Sequence, residues 1–373
     1  MKKAQKNSRK EPGNFSGCRF RFLAALIIFL LSAVLLLVST LIPETAEWYS
    51  STVYRPAAEA ISSVTGRVPF SLAEIGLYLL ILAFLFSVMF TVRRIVNAKA
   101  FRRHLLSWLS GLCLAAALLA FFFMLGGGIN YHRVSFAEKA GIVAEPCTVE
   151  DLARICSWLT EEVNKRSGQV ARDENNVMTL TRPEGPDAAN AMESLGDTFP
   201  ALSGSYPVPK KVLCSQILSR LSLTGIFSAF TIEANYNGDM TAYNIPFTVC
   251  HELSHLRGFM QEEEANFIAF LACIQSDETD FQYSGYLSAW IYCMNALYDA
   301  DHDAWSAIRA QLSSLAEADL TANREFWARY DGVLSEVSSN VNDTYLKING
   351  QQDGVKSYSK MVELTVAYFK DTI

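Results

Sequence analysis

Residues 246–266 read PFTVCHELSHLRGFMQEEEAN, and the organisation of the chain follows from how this stretch is read. On a helix His251 and His255 lie one turn apart, separated by about 40° around the axis, so both imidazoles can reach one tetrahedral metal ion. Glu252 stands beside them as a candidate general base, completing the His-Glu-x-x-His pattern of zinc hydrolases. Pro246 suits a first helical turn and Gly258 a C-terminal stop. The stretch therefore divides into one helix ending before Gly258 and a second starting near Gln261.

A zinc hydrolase takes three protein ligands and keeps one position open for water, so a third ligand has to come from elsewhere, most simply downstream. Glu262, Glu263 and Glu264 are the nearby candidates. Glu262 and Glu264 differ by about 200° around the axis, so both cannot face one metal. Asn266 stands four residues after Glu262, on its face of an otherwise apolar helix, where a polar side chain needs a partner such as a ligand His. That spacing favours Glu262, with Asn266 behind the ligands; Glu264 is the alternative, and Glu263 is read as solvated.

Working outward, the 373 residues are 50% hydrophobic with a net charge of -6, too apolar on average for an ordinary soluble chain. The excess sits in the first third. Three runs, Phe22 to Ile42, Phe70 to Val92 and Leu105 to Leu125, are long enough to cross a bilayer, and among them the carboxylate is Glu74, near one end. The first is followed by two more and lacks a small-residue cleavage site, so all three are read as retained spans. Lys and Arg concentrate before the first run and between the second and third (Arg93, Arg94, Lys99, Arg102, Arg103), which assigns both segments to the cytoplasm. The 43–69 loop and everything after about Gly126 then lie outside. These basic clusters belong to the membrane, and the acidic remainder gives no reason to expect nucleic acid. The eight cysteines show no CxxC or other ligand spacing; several are read as buried free thiols, with one or two bridges open in an outer compartment.

After the spans, Thr148 reads as the cap of a helix to about Lys165, followed by a polar, loop-rich connection over 167–200 with turn points at Gly185-Pro186 and Gly196-Asp197. Residues 225–236, GIFSAFTIEANY, read as an extended segment closed by Asn237-Gly238-Asp239. A strand ahead of a metal-binding helix can hold a peptide backbone by β-addition. Glu233 and Asn235 are therefore candidate cleft residues on a substrate strand, with an ordinary sheet member as the alternative. Helices are expected over 286–298, 305–315 and 324–341, then a Gly-containing loop at 349–354 and a short final helix. For an oxyanion donor the candidates are Tyr358, favoured, then Tyr345, Arg257 and Tyr243.

HELSH followed by Glu262-x-x-Ala265-Asn266 resembles the Glu-zincin metallopeptidases, in which a Glu on the next helix completes the zinc site and an Asp or Asn four residues later bonds a ligand His. The resemblance implies His251, His255 and Glu262 as zinc ligands, Glu252 as base and Asn266 as support. It covers about twenty residues, and the six residues between His255 and Glu262 require a tight turn between the helices. Over most of its length the chain also looks like a bacterial membrane family known only as a domain of unknown function, on the strength of three N-terminal spans, FTIEANYN, the 246–273 stretch and NDTYLKINGQQDGVKSY.

The expected fold is mainly α. It has a basic cytoplasmic tail (1–21), three transmembrane helices (22–128) and an α+β zincin-like, helix-rich extracytoplasmic domain (129–373). The expected function is zinc-dependent hydrolysis of a peptide or membrane-protein substrate at the bacterial cell membrane, against the lipid bilayer. The alternative is a non-catalytic zinc-binding membrane sensor or assembly protein.

Overall fold

The computed structural model describes residues 16–98, 101–144, 147–349 and 358–370. Among the described residues three helices are long and apolar enough to cross a membrane: α1 (Ser16–Leu41), α4 (Leu72–Ala98) and α5 (Phe101–Gly126). At 26 residues or more each exceeds the ~20 residues that a ~30 Å hydrocarbon layer requires. They extend beyond the apolar runs into their basic flanks because backbone hydrogen bonding does not stop where the apolar sequence does. The chain divides into two compact units, one of residues up to 37 with 76–124, the other of 38–75 with 125–373. In the first, Trp108 donates to Ser87 Oγ at 3.1 Å and stacks against Phe84, while outward side chains such as Leu30, Leu79 and Phe86 are exposed. Such apolar surface suits lipid.

The second unit is mainly helical. The 43–69 segment, read from sequence as a loop, forms α2 (Pro43–Tyr49), a π turn (Ser50–Tyr54) and α3 (Arg55–Thr65). Proline stands in the first turn of both helices, where its missing N–H costs nothing. Tyr54 donates to the Leu256 carbonyl at 3.1 Å, and Arg257 pairs with Glu59 at 2.7 Å, so these helices brace the stretch that carries the His pair.

After a short helix α6 (Phe136–Ala140) comes α7 (Val149–Ser167), capped as expected by Thr148, whose hydroxyl accepts from Asp151 N at 3.1 Å. The polar connection contains a helix that the sequence reading missed, α8 (Glu184–Thr198). Gly185 and Gly196 were expected to turn there. Instead Pro186 sits in the first turn and Gly185, Ala188, Ala189, Ala191 and Gly196 are buried, giving a small-residue face that packs close. The expected single extended segment is a hairpin: β2 (Gly225–Ser228) and β3 (Glu233–Tyr236) pair antiparallel, Gly225 opposite Tyr236 and Ser228 opposite Glu233. Ser228 Oγ binds Thr231 across the turn, and Ile232 takes φ +50°, a conformation costly for a β-branched residue. A short strand β1 (Lys210–Lys211) lies parallel to β3, giving the order β1-β3-β2 with β2 at an edge. A single helical turn and a half, α9 (Ser215–Arg220), separates β1 from β2.

The core is formed by α10 (Asn244–Leu256), α11 (Glu262–Gln275) and α12 (Thr279–Ala300), with α7 and α16 (Tyr358–Phe369) closing over them. Phe267, Phe270, Tyr283 and Leu287 are fully buried there. Next come α13 (His302–Arg309), α14 (Ser314–Ala328) and α15 (Val333–Ile348). The helix expected over 324–341 is thus two, divided at Asp331-Gly332. Residues 350–357, which hold most of the expected glycine loop, lie outside the described residues. All eight cysteines are free, with Cys156, Cys250, Cys273 and Cys293 buried.

Candidate metal centre

Helix α10 sets the His pair. Its first turn is fixed by Ser284, whose Oγ accepts from Phe247 N at 3.0 Å and donates to the Tyr243 carbonyl. One turn apart, the His251 and His255 rings stand 4.5 Å between centroids and nearly perpendicular. The helix stops at Gly258, whose φ of +91° only glycine adopts without strain. Gly258 N then donates to the His255 carbonyl (2.8 Å) and Phe259 N to that of Ser254 (3.1 Å), a Schellman-type stop. This reversal turns the Phe259 carbonyl onto His255 Nδ1 at 2.8 Å and starts α11 three residues later. The tight inter-helix turn thus also orients a ligand candidate.

From α11, Glu262 Oε2 lies 3.3 Å from His251 Nε2 and Glu262 Oε1 3.6 Å from His255 Nε2. The three groups each offer a ligand atom, all within 4.8 Å of one another. Asn266 Oδ1 meets His251 Nδ1 at 2.8 Å. Glu264 points elsewhere: its carboxylate accepts from Phe136 N at 2.6 Å, at the start of α6, and its desolvation there pushes its pKa to about 7. Glu263 is buried, within 3.7 Å of Lys360, where the sequence reading had it solvated.

The donor set could hold a metal ion. Two atoms each ~2.1 Å from a tetrahedral ion are about 3.4 Å apart, which the Nε2–Oε separations bracket. Both Nδ1 atoms face oxygen acceptors, and both Nε2 atoms face the Glu262 carboxylate. The electrostatics agree. Burial would raise Glu262, but the hydrogen bond from His251 and both imidazoles hold it at about 2. Burial, reinforced by His251, lowers His255 to about 4. His251 is pushed down by burial yet ends above its ordinary value because Glu262, Glu252 and Asn266 favour its charged form.

Glu252 is 4% exposed, and burial, offset in part by His251, raises its pKa to about 8. Its Oε2 has no hydrogen-bond partner among the described residues. Gly225, the first residue of β2, makes the room: a Cβ there would overlap Glu252 Oε1 and come within 2.8 Å of Cδ. That contact between an edge strand and the base is absent from the sequence reading, although Gly at the start of a β-branched and aromatic run was its one available signal.

The remaining candidates scatter. Glu233 and Asn235 are buried on β3, the central strand. Glu233 accepts from Leu72 N and Ala73 N and pairs with Lys210, and Asn235 Nδ2 donates to the Ile226 and Glu233 carbonyls. The strand beside Glu252 is β2. Arg257 is committed to Glu59 and the Ser205 carbonyl, and Tyr243 lies at the far end of α10. Tyr358 opens α16, and its side chain lies outside the described residues. Tyr345, from α15, accepts from Tyr131 OH at 2.9 Å. Burial raises both phenols, and the Glu262 charge adds to each. Tyr131 is tied to the site by its carbonyl, which accepts from Gln261 Nε2 at 2.9 Å, next to Glu262.

The chain belongs to a family described as Protein of unknown function (DUF3810), whose sequence pattern matches residues 49–366. No curated protein and no solved structure matches it.

Proposed function

We propose that this chain is a multi-pass membrane zinc metallopeptidase of the Glu-zincin kind, its hydrolytic domain on the extracytoplasmic side. The observation that carries the reading is the convergence of His251, His255 and Glu262 beside a buried carboxylate, Glu252, that has an oxygen to spare. His251, His255 and Glu262 would hold the zinc, which would supply Lewis acidity toward a scissile carbonyl and a bound water. Glu252, in its ionised form, which a cation beside it would favour, would take the proton of the attacking water on Oε2 and return it to the leaving amine. A purely structural zinc site has no use for such a base. The open edge of β2, with Gly225 against Glu252, accommodates an extended peptide backbone.

The side of the membrane follows from charge. Arg19, Arg21, Arg93, Arg94, Arg102 and Arg103 lie at one set of helix ends, while the last turn of α1, the first of α4 and the end of α5 belong to the unit that carries the His pair. The test is metal analysis and peptide-library hydrolysis on the full chain in detergent. One zinc per chain, lost in His251→Ala and Glu262→Ala, and hydrolysis lost in Glu252→Gln with zinc kept, is the expected outcome. Full zinc in His251→Ala sinks the ligand set; zinc binding without any turnover favours the sensor or assembly role instead.

A further inference from the structure

The small sheet is fastened to the ends of two apolar helices. Glu233 of β3 accepts from Leu72 N (3.2 Å) and Ala73 N (2.8 Å), the first residues of α4, and also pairs with Lys210 of β1. In return Glu74, in the first turn of α4, accepts from Leu213 N (2.7 Å) and Cys214 N (2.9 Å), where β1 leads into α9. At the end of α5, a Cβ on Gly126 would overlap the carbonyl oxygen of Ala229 in the β2–β3 turn. Buried carboxylates that each accept two backbone N–H bonds are strong, directional ties, and the glycine permits direct backbone contact. Together they tie the sheet to the first turn of α4 and the last residue of α5.

On the sheet and its connections large apolar side chains stand in the open: Leu213 (66% exposed), Ile217 (48%), Ile226 (48%) and Phe230 (53%). Trp48, just past α1, and Phe70, just before α4, are exposed as well. Scattered exposed hydrophobics need no explanation, but Leu213 is bonded through its N–H to Glu74 of α4 and Phe230 follows Ala229, which meets Gly126 of α5, and Trp near such helix ends is the usual marker of a membrane interface. From Phe230 the chain leads back along β2 to Gly225 and so to Glu252, four strand residues at ~3.4 Å each.

We infer that Leu213, Ile217, Ile226 and Phe230 dock into the lipid headgroup layer, so that the metal centre is reached from the bilayer surface and its substrate class is the extended juxtamembrane segment of a membrane-embedded or lipid-anchored protein. The lipid contact stands on the geometry alone; the substrate class rests on the metallopeptidase reading. The continuity of this face with the helix ends selects lipid over a second copy or a soluble partner.

The experiment uses the full chain in phosphatidylcholine–phosphatidylglycerol vesicles. The Phe230→Trp emission, taken as the difference from wild type, is challenged with lipid brominated near the headgroup and with aqueous acrylamide. Quenching by brominated lipid and little by acrylamide is expected. Quenching by acrylamide alone places the face in water, and quenching by neither places it under protein; either overturns the lipid contact. In the same vesicles a fluorogenic peptide library is offered free and with a palmitoyl anchor. Anchored peptides should be cleaved at least about tenfold faster, as confinement to the surface raises their effective concentration. Leu213→Asp with Phe230→Asp should reduce that advantage while zinc content, which reports the folded centre, stays at wild type. Equal cleavage of both forms overturns the substrate class with the peptidase reading intact, whereas bound zinc with no cleavage of either sinks the peptidase reading and the substrate class together.

Discussion

The α10–α11 side of the cluster and its β2 side are built on opposite principles. On the first, His251 is held by Asn266, His255 by the Phe259 carbonyl and Glu262 by both imidazoles, each within 3.6 Å. On the second, Glu252 is buried against the glycine end of a strand and keeps an unpartnered oxygen. Hydrogen bonds that lock rotamers prepare a binding site in advance. A buried carboxylate without a partner costs stability and is retained where a reaction needs it. On the proposed function, the first side would hold the metal and the second would act on the substrate.

That contrast can be broken from either side. The largest effect is expected on the holding side: His251→Ala or Glu262→Ala should abolish stoichiometric zinc, read by metal analysis, because two donors cannot complete a tetrahedral site. Glu264→Gln should leave zinc unchanged, since that carboxylate binds Phe136 N; loss of zinc there would move the third ligand. On the acting side, Glu252→Gln should lower hydrolysis by ~10²–10⁴-fold with zinc retained. Gly225→Val tests the same group by steric displacement, and an unchanged rate in it would remove β2 from the site. Next in size, Asn266→Ala should weaken zinc binding by ~10–100-fold in a competition titration, by freeing the His251 ring.

A smaller effect separates the two sides by pH. In the metal-stripped chain Glu252 holds its proton up to about 8, against 4.5 ordinarily. Between those values the folded state keeps a proton that the unfolded state has released, so this group's contribution to stability falls as pH rises and levels off above about 8. His255 and Glu262, at about 4 and about 2, work the other way: their contributions are lost as pH falls from 6.5 toward 4 and from 4.5 toward 2. The unfolding midpoint of Glu252→Gln should therefore gain on wild type as pH rises from about 5 to 8. Parallel curves would mean that Glu252 is solvated. The smallest change is expected for Tyr345→Phe, which removes the Tyr131 hydrogen bond at a cost of about 1 kcal/mol in the unfolding free energy.

The parts legible in the sequence were those governed by local periodicity. Helical spacing placed His251 and His255 on one face and put Asn266 behind Glu262, and helix α11 presents them so. Long apolar runs marked α1, α4 and α5. The parts that were not legible depend on what meets what. The small residues of α8 resemble a loop until a neighbouring helix buries them. The choice of substrate strand fell on Glu233 and Asn235 because composition alone does not show a hairpin folding back at Ile232, which places β2 beside Glu252 and leaves Glu233 to hold α4. The π turn and helix α3, read as a loop, brace the end of α10 through Tyr54 and Glu59, contacts about 200 residues apart in sequence.

By itself, then, the sequence determined the three apolar helices and the spacing that sets His251 and His255 one turn apart with a carboxylate close behind, because hydrophobic length and 3.6-residue periodicity are properties of short windows. Only the tertiary structure decided that Glu262 rather than Glu264 turns to the imidazoles, that the Phe259 carbonyl fixes His255, and that Gly225 makes room for Glu252. Each depends on where a left-handed glycine turn or a returning strand delivers the backbone, and no window of sequence contains both partners of those contacts.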